Sequence, residues 1–284
     1  MPRSYPIAAL ASLAVLLAGG GGGSSAGAET APIALAPHQA LYTLSLKSAR
    51  SNVAINDASG QIIYNFDGNP CEGYTSDFHQ VSQLEAAENR DITNNLRSTT
   101  WESGDGKSYR FRIETRTNDD DPSIVDGVAE RDGGSIKVRL KQPAQKTLTL
   151  SGDVVFPTEQ IRRIIAAARD GKSLLELKVY DGSDGGEKVY NTFTVIGRPI
   201  DPGAAAAPDA AGAALQAQRR WPVTVSYYDS GKRPDAGEQT PVYAMSFELY
   251  ENGVSRQLAL DYNDFVISGA MSKYEAKTAK PCKP

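Results

Sequence analysis

Apolar and polar residues alternate along much of this chain. Ile136, Val138 and Leu140 are separated by Lys137 and Arg139, and Leu175, Leu177 and Val179 repeat the pattern, as do Tyr109, Phe111 and Ile113. A period of two places successive side chains on opposite faces of a strand, so each run predicts a strand with one buried and one wet face. Turn-forming residues punctuate the runs at Gly104-Asp105-Gly106, at Asp132-Gly133-Gly134 and from Asp181 to Gly186. The pattern gives about fourteen candidate strands and predicts an all-β fold class.

Near the end, Asn252-Gly253 predicts a tight type I′ hairpin. A two-residue loop there pairs Phe247 with Leu258, Met245 with Leu260 and Tyr243 with Tyr262, apolar opposite apolar each time. Arg256 then falls opposite Leu249, a mismatch that a tip projecting into water would accommodate. One segment breaks the strand rhythm. Ile161, Ile164, Ile165 and Ala168 have helical spacing, with Thr158 as the expected first-turn cap, Glu159 suited to the dipole and Gly171 as the left-handed stop. A lone amphipathic helix in a β protein is expected to plug or cover a sheet; a partner-binding helix is the alternative. Residues 201–218 (DPGAAAAPDAAGAALQAQ) have no aromatic and almost no large apolar side chains. They predict a mobile Ala/Pro-rich surface loop inserted into one domain.

The amino terminus has a different pattern. Met1-Pro2-Arg3 precedes an apolar run from Ile7 to Ala18, followed by small residues and an Ala26-Gly27-Ala28 box. This predicts a secretory signal over residues 1–28, too short for a permanent span, and an exported domain over 29–284. No Cys follows Leu17-Ala18-Gly19-Gly20, so no lipid anchor is expected. No later segment is apolar enough to predict a membrane span.

The 284 residues carry a formal charge of −4, which argues against a dedicated nucleic-acid binder, since that needs a basic footprint. The two cysteines, Cys71 and Cys282, would reach an oxidising space on export. A zinc site lacks ligands at short spacing, and a catalytic thiol lacks an orienting partner beyond His79. A disulfide is the favoured reading, worth roughly 5 kcal/mol in the chain-entropy account; two buried free thiols are the alternative. Gly171-Lys172-Ser173 and Gly106-Lys107-Ser108 fail as phosphate loops, because Ala166 and Trp101 stand where the opening glycine belongs. A literal G-x-S-x-G over residues 23–27 falls in the leader, away from any strand-to-helix elbow. Asp119-Asp120-Asp121 and the trio Asp181, Asp184 and Glu187 lack calcium-loop spacing and read as solvated turn acids. The motifs therefore nominate no catalytic residue, cofactor or metal site.

Four segments carry a resemblance: YNFDGNPCEGYTSDF (64–78), FPTEQIRRIIAAARDGKS (156–173), KVYDGSDGGEKVYNTFTVIGR (178–198) and SFELYENGVSRQLALDYNDFVISG (246–269). They resemble the alphaproteobacterial cell-envelope integrity EipB family across essentially the whole mature chain. The resemblance implies a periplasmic, barrel-like β-spiral closed by one disulfide, with Cys71 and Cys282 matching its cysteines. It also implies non-enzymatic support of envelope integrity, linked to a periplasmic tetratricopeptide-repeat protein. A carrier holding a lipid or lipoprotein inside the spiral is the alternative, and a hydrolase of envelope polymers the third reading. The insertion at 201–218 departs from the more compact members. Mature protein recovered from the periplasm is expected to begin near Glu29 and to carry no lipid. Amino-terminal sequencing checks this, and retained Met1 would overturn the export reading.

Overall fold

A computed structural model of the chain describes residues 33–51, 55–86, 91–205, 209–231 and 239–282. The predicted signal over 1–28 lies outside them. Eight strands follow one another as an antiparallel meander: β1 (His38–Ala49), β2 (Ile55–Asn69), β3 (Gly73–Ala86), β4 (Ile92–Glu102), β5 (Ser108–Thr117), β6 (Ser123–Asp132), β7 (Ser135–Gln142) and β8 (Lys146–Ser151). The short β9 (Val154–Val155) leads into helix α1 (Pro157–Arg169), which returns the chain to β10 (Leu174–Val179), parallel to β9. A second meander continues through β11 (Tyr190–Ile196), β12 (Arg220–Asp229), β13 (Tyr243–Tyr250), β14 (Ser255–Asp261) and β15 (Phe265–Ala276). The two meanders join where β15 pairs antiparallel with β1, giving a single 15-stranded sheet.

The edges of this sheet are β8 and β9, and only Gly152 and Asp153 separate them in the chain. Laid flat, fifteen strands at about 4.8 Å spacing would put the edges roughly 65 Å apart. Three Cα steps span about 11 Å at most. The sheet must therefore curl until its edges nearly meet, and it forms a barrel-like wall around an interior.

Alternation assigns that interior. In β7, Ile136, Val138 and Leu140 are buried while Lys137, Arg139 and Lys141 face water. Helix α1 buries Ile164, Ile165, Ala167 and Ala168 against Trp221, Val223, Val225, Phe247 and Leu249 of β12 and β13. Full burial of each isoleucine contributes about 2 kcal/mol. Gly171, with φ of 72°, ends the helix in the left-handed region, as the sequence predicts. Thr158 is not the cap, since it sits inside the helix and Phe156 occupies the cap position without a side-chain bond. A residue distant in sequence supplies the cap instead. Three further apolar clusters fill the wall: one holds Tyr42, Leu44, Ile62, Leu260, Ile267 and Met271, another Tyr109, Phe111, Ile136, Val138 and Phe156, and a small third Val155, Leu177 and Val179.

The late hairpin keeps its predicted register away from the tip, where Met245 faces Leu260. Nearer the tip the register shifts between Ser246 and Glu248, at a bulge beside Gln257, whose φ is 52°. The turn accordingly takes three residues, Glu251 to Gly253, and Arg256 lies opposite Glu248 rather than Leu249. Arg256 does not project into water. It is fully buried, with Asp209 at 2.6 Å and the Tyr250 hydroxyl at 2.7 Å.

Within the predicted loop, residues 201–205 are exposed, whereas Asp209 of that ion pair begins a stretch with buried positions. Residues 206–208 lie outside the described residues, but Asp209 onward packs against β13 to β15. Ala211 is 0% exposed and Leu215, in the short helix α2 (Gly212–Leu215), is 2% exposed, both within the cluster of Tyr250 and Val254. The segment holds few apolar side chains, yet those few fall beside the buried Arg256 of β14, which Asp209 meets. At the other end of the chain, Cys71 in the β2–β3 turn and Cys282 beyond β15 lie 5.7 Å apart between Cα atoms, a separation suited to a disulfide. Asn69 shapes the turn by accepting the Cys71 and Glu72 N–H groups at 2.9 and 2.8 Å.

Replacing Asp209 with Ala leaves a buried guanidinium without its carboxylate and is expected to lower stability by about 3–5 kcal/mol. Asp201→Ala removes an exposed pair with Arg219 and is expected to change stability by less than about 1 kcal/mol. Denaturant unfolding of the two variants checks the contrast. Equal effects would mean that the Asp209 segment contributes no packing.

Candidate functional site

The amino end of α1 is the chemical centre of the interior. A helix leaves its first N–H groups without internal partners, and here the sheet supplies the acceptor. The Glu102 carboxylate, at the end of β4, accepts the Thr158 N–H at 2.7 Å on one oxygen and the Glu159 N–H at 2.9 Å on the other. Arg162, one turn further along the helix, brings its guanidinium to 3.7 Å from the same carboxylate and donates to the Gly104 carbonyl at 2.9 Å. Glu102 is almost completely buried, and desolvation pushes its pKa up to about 7 against the two N–H donors and Arg162. Around it, Arg131 of β6 donates to the Val154 carbonyl and to Glu159, while Arg163 bridges Glu159 and Asp153. The helix terminus is thus tied to β4, to β6 and to the link between the sheet edges.

Next to this terminus lies a cavity of about 230 Å³. Its wall combines ring faces (Tyr64, Phe66 and Tyr109) with the hydroxyls of Ser76, Ser98 and Thr100, and with Pro157, Thr158 and Ile161 of α1. His38, Asp181, Leu35 and Gly253 complete it. His38 packs among Tyr64, Phe66 and Tyr274, with ring centroids 5.6 to 6.0 Å away. Burial lowers its pKa, and its Nδ1 lies 2.8 Å from the Ala36 carbonyl. Asp181 accepts the Ser183 N–H at 2.9 Å, and burial raises its pKa. It is therefore not the solvated turn acid that its sequence neighbourhood suggests. Asp184 and Glu187 of the same loop are exposed and pair with Lys188 and Lys146. Among the described residues no cluster of His, Cys, Asp and Glu could hold a metal ion.

A second concavity, about 570 Å³, lies outside the wall and is lined by Asp153, Glu176, Lys178, Asn191, Phe193 and Tyr228. Beside it Leu174 and Val195, opposite one another across β10 and β11, are 55% and 44% exposed. His38, Glu102 and Asp181 carry no motif signal. They come together through strand pairing and curvature, which local spacing does not encode. Cys71 and Cys282 meet at the turn described above and line neither concavity.

The family model described as EipB-like matches residues 29–278. The chain belongs to the EipB-like family. Within it, the cell envelope integrity protein EipB of Brucella abortus (strain 2308) is 32% identical over 272 residues, covering 95% of this chain and 94% of the relative. A crystal structure from the same organism, described as a β-barrel-like protein of a domain of unknown function, superposes with a TM-score of 0.78 at 31% identity. The match covers 87% of this chain and all of that one, and supports the barrel-like wall as a family architecture. Among the described residues of this EipB-like chain, no helix is long and apolar enough to cross a membrane.

Glu102 makes the fold pH-sensitive in a defined direction. Its folded pKa, about 7, lies above the ordinary 4.5, so the folded state holds the proton more tightly between those values. The contribution is complete below about 4.5 and is lost as pH rises through 7, on the order of 3 kcal/mol in all. The groups facing it include Arg162, the Thr158 hydroxyl, the Tyr109 hydroxyl and the two helix N–H groups. Glu102→Gln is expected to flatten the melting temperature against pH between about 5 and 8. An unchanged slope in that variant would assign the dependence elsewhere.

Proposed function

We propose that this protein is exported to the periplasm and supports cell-envelope integrity without catalysis, by holding a tetratricopeptide-repeat protein. The observation that carries the reading is the near full-length match to a relative that is named for envelope integrity. The secretory pattern of residues 1–28 supports export, and the resemblance of the four quoted segments supports the repeat-protein partner. The polar interior supports an interaction role: its acid is occupied in capping a helix, and no nucleophile with an adjacent base and orienting group emerges among the described residues. A lipid or lipoprotein carrier needs a long apolar chamber. The interior cavity is small and hydroxyl-lined, which favours the interaction reading over the carrier.

Tagged mature protein captured from the host periplasm with its cysteines intact is expected to retain a repeat protein. Native mass spectrometry of the same material is expected to show no bound acyl lipid. A bound lipid with no protein partner would replace this reading with the carrier. Val195→Asp, at an exposed position beside the outer groove, is expected to reduce retention without lowering the melting temperature. We also propose that Cys71 and Cys282 form the disulfide in the periplasm. Denatured, unreduced protein is then expected to show no free thiol, and two reactive thiols would refute the bond.

A further inference from the structure

We infer that the cavity beside the amino end of α1 is a binding site for a small, uncharged cyclic polyol, about one sugar ring in size. The inference does not depend on the partner proposed above.

Size sets the first limit, since a cavity of about 230 Å³ suits a single ring with its hydroxyls. Charge sets the second. Among the described residues no Lys or Arg lines the cavity, so none there offers an anionic head group a counter-charge. The hydrogen-bonding character of the wall sets the third. His38 is 2% exposed, and its Nδ1 faces a carbonyl, which can only accept, so Nδ1 carries the ring proton. A neutral ring then presents Nε2 as an acceptor. Asp181 adds a carboxyl group with one oxygen engaged by the Ser183 N–H. Two acceptors fixed in the wall call for a ligand that donates. Ser76, Ser98 and Thr100 carry hydroxyls that serve either role, and Ser98 and Thr100 stand two residues apart on one face of β4.

The aromatic faces distinguish a ring polyol from a cluster of waters. Tyr64 and Phe66 stack with centroids 6.1 Å apart, and Phe66 stacks on Tyr74 at 5.1 Å. This stack gives the cavity an aromatic side next to its acceptors, a combination that suits a sugar ring with its C–H surface and rim of hydroxyl donors. Solvent reaches the rim of the site, because Ser76, Ser98, Thr100 and Ile161 are only partly buried. The binding groups lie mostly on strands, with α1 as floor, so the site is preformed and needs no reordering to accept a ligand.

The test is ligand-observed NMR with the full mature protein, using methyl β-glucoside, methyl β-galactoside and N-acetylglucosamine as probes and octanoate as counter-probe. Saturable binding of at least one sugar with a millimolar Kd is expected, and octanoate is expected not to displace it. Ser98→Leu fills the cavity from a partly exposed wall position and is expected to weaken binding at least tenfold at an unchanged melting temperature. His38→Phe keeps an aromatic side chain while removing both the acceptor and the Nδ1–H bond to Ala36, and is expected to weaken binding about tenfold. If Ser98→Leu fails to fold, His38→Phe decides. Failure of all three sugars to bind up to tens of millimolar overturns the inference. So does sugar binding unaffected by both substitutions, or displacement of a bound sugar by octanoate.

Discussion

A link of two residues, Gly152 and Asp153, ties together the opposite edges of a fifteen-strand sheet, and the rest of the architecture follows from it. The wall has to curl, and curling creates an inside that apolar side chains must fill. The same link starts the parallel step from β9 to β10, and a parallel step needs a crossover long enough to hold a helix. Helix α1 is that crossover. Its burial follows from topology as much as from its apolar stripe, because the strands it connects belong to one wall. β9 is only two residues long, which also leaves little exposed edge for another chain to pair with.

The helix gives the interior two chemically different regions. Its carboxyl half lies among Trp221, Val225 and Phe247, where dispersion and exclusion of water govern. Its amino end meets Glu102, Arg162 and the carbonyl of Gly104, where every polar group needs a partner. The hydroxyl-lined cavity lies beside this second region. Polar character inside the wall is thus gathered at the helix terminus and at the separate buried cluster of Arg256, Asp209 and Tyr250.

What the sequence revealed and what it hid divide along physical lines. Strands such as β5, β7 and β10 were legible because burial on one face repeats every second residue, and α1 was legible for the corresponding reason. The far half of the late hairpin was legible too, down to Met245 facing Leu260. The tip was not, because a bulge at Gln257 changes the register without a glycine to announce it. The cap of α1 was hidden because its donor strand lies far back in the chain, while Thr158 stands nearby and has the right chemistry. The 209–218 segment read as surface because small residues carry little apolar signal. Its packing depends on Asp209 meeting Arg256, and neither residue reveals that alone. The wall of the cavity was hidden for the same reason, since His38, Ser98 and Asp181 become neighbours only once the sheet has curled.

The pairing of β1 with β15 places the first and last strands side by side in the middle of the sheet, His38 opposite Ala276. Each meander can build itself from neighbouring hairpins as its residues become available. The seam between them cannot form until nearly the whole chain is present, which makes the closing contact as distant in sequence as this fold allows. A chain emerging amino end first therefore waits with β1 unpaired along one side, the kind of edge that invites association with other chains. Folding of this wall is in that sense gated by its last strand, and a truncation that removes β15 would take away the seam on which both halves close.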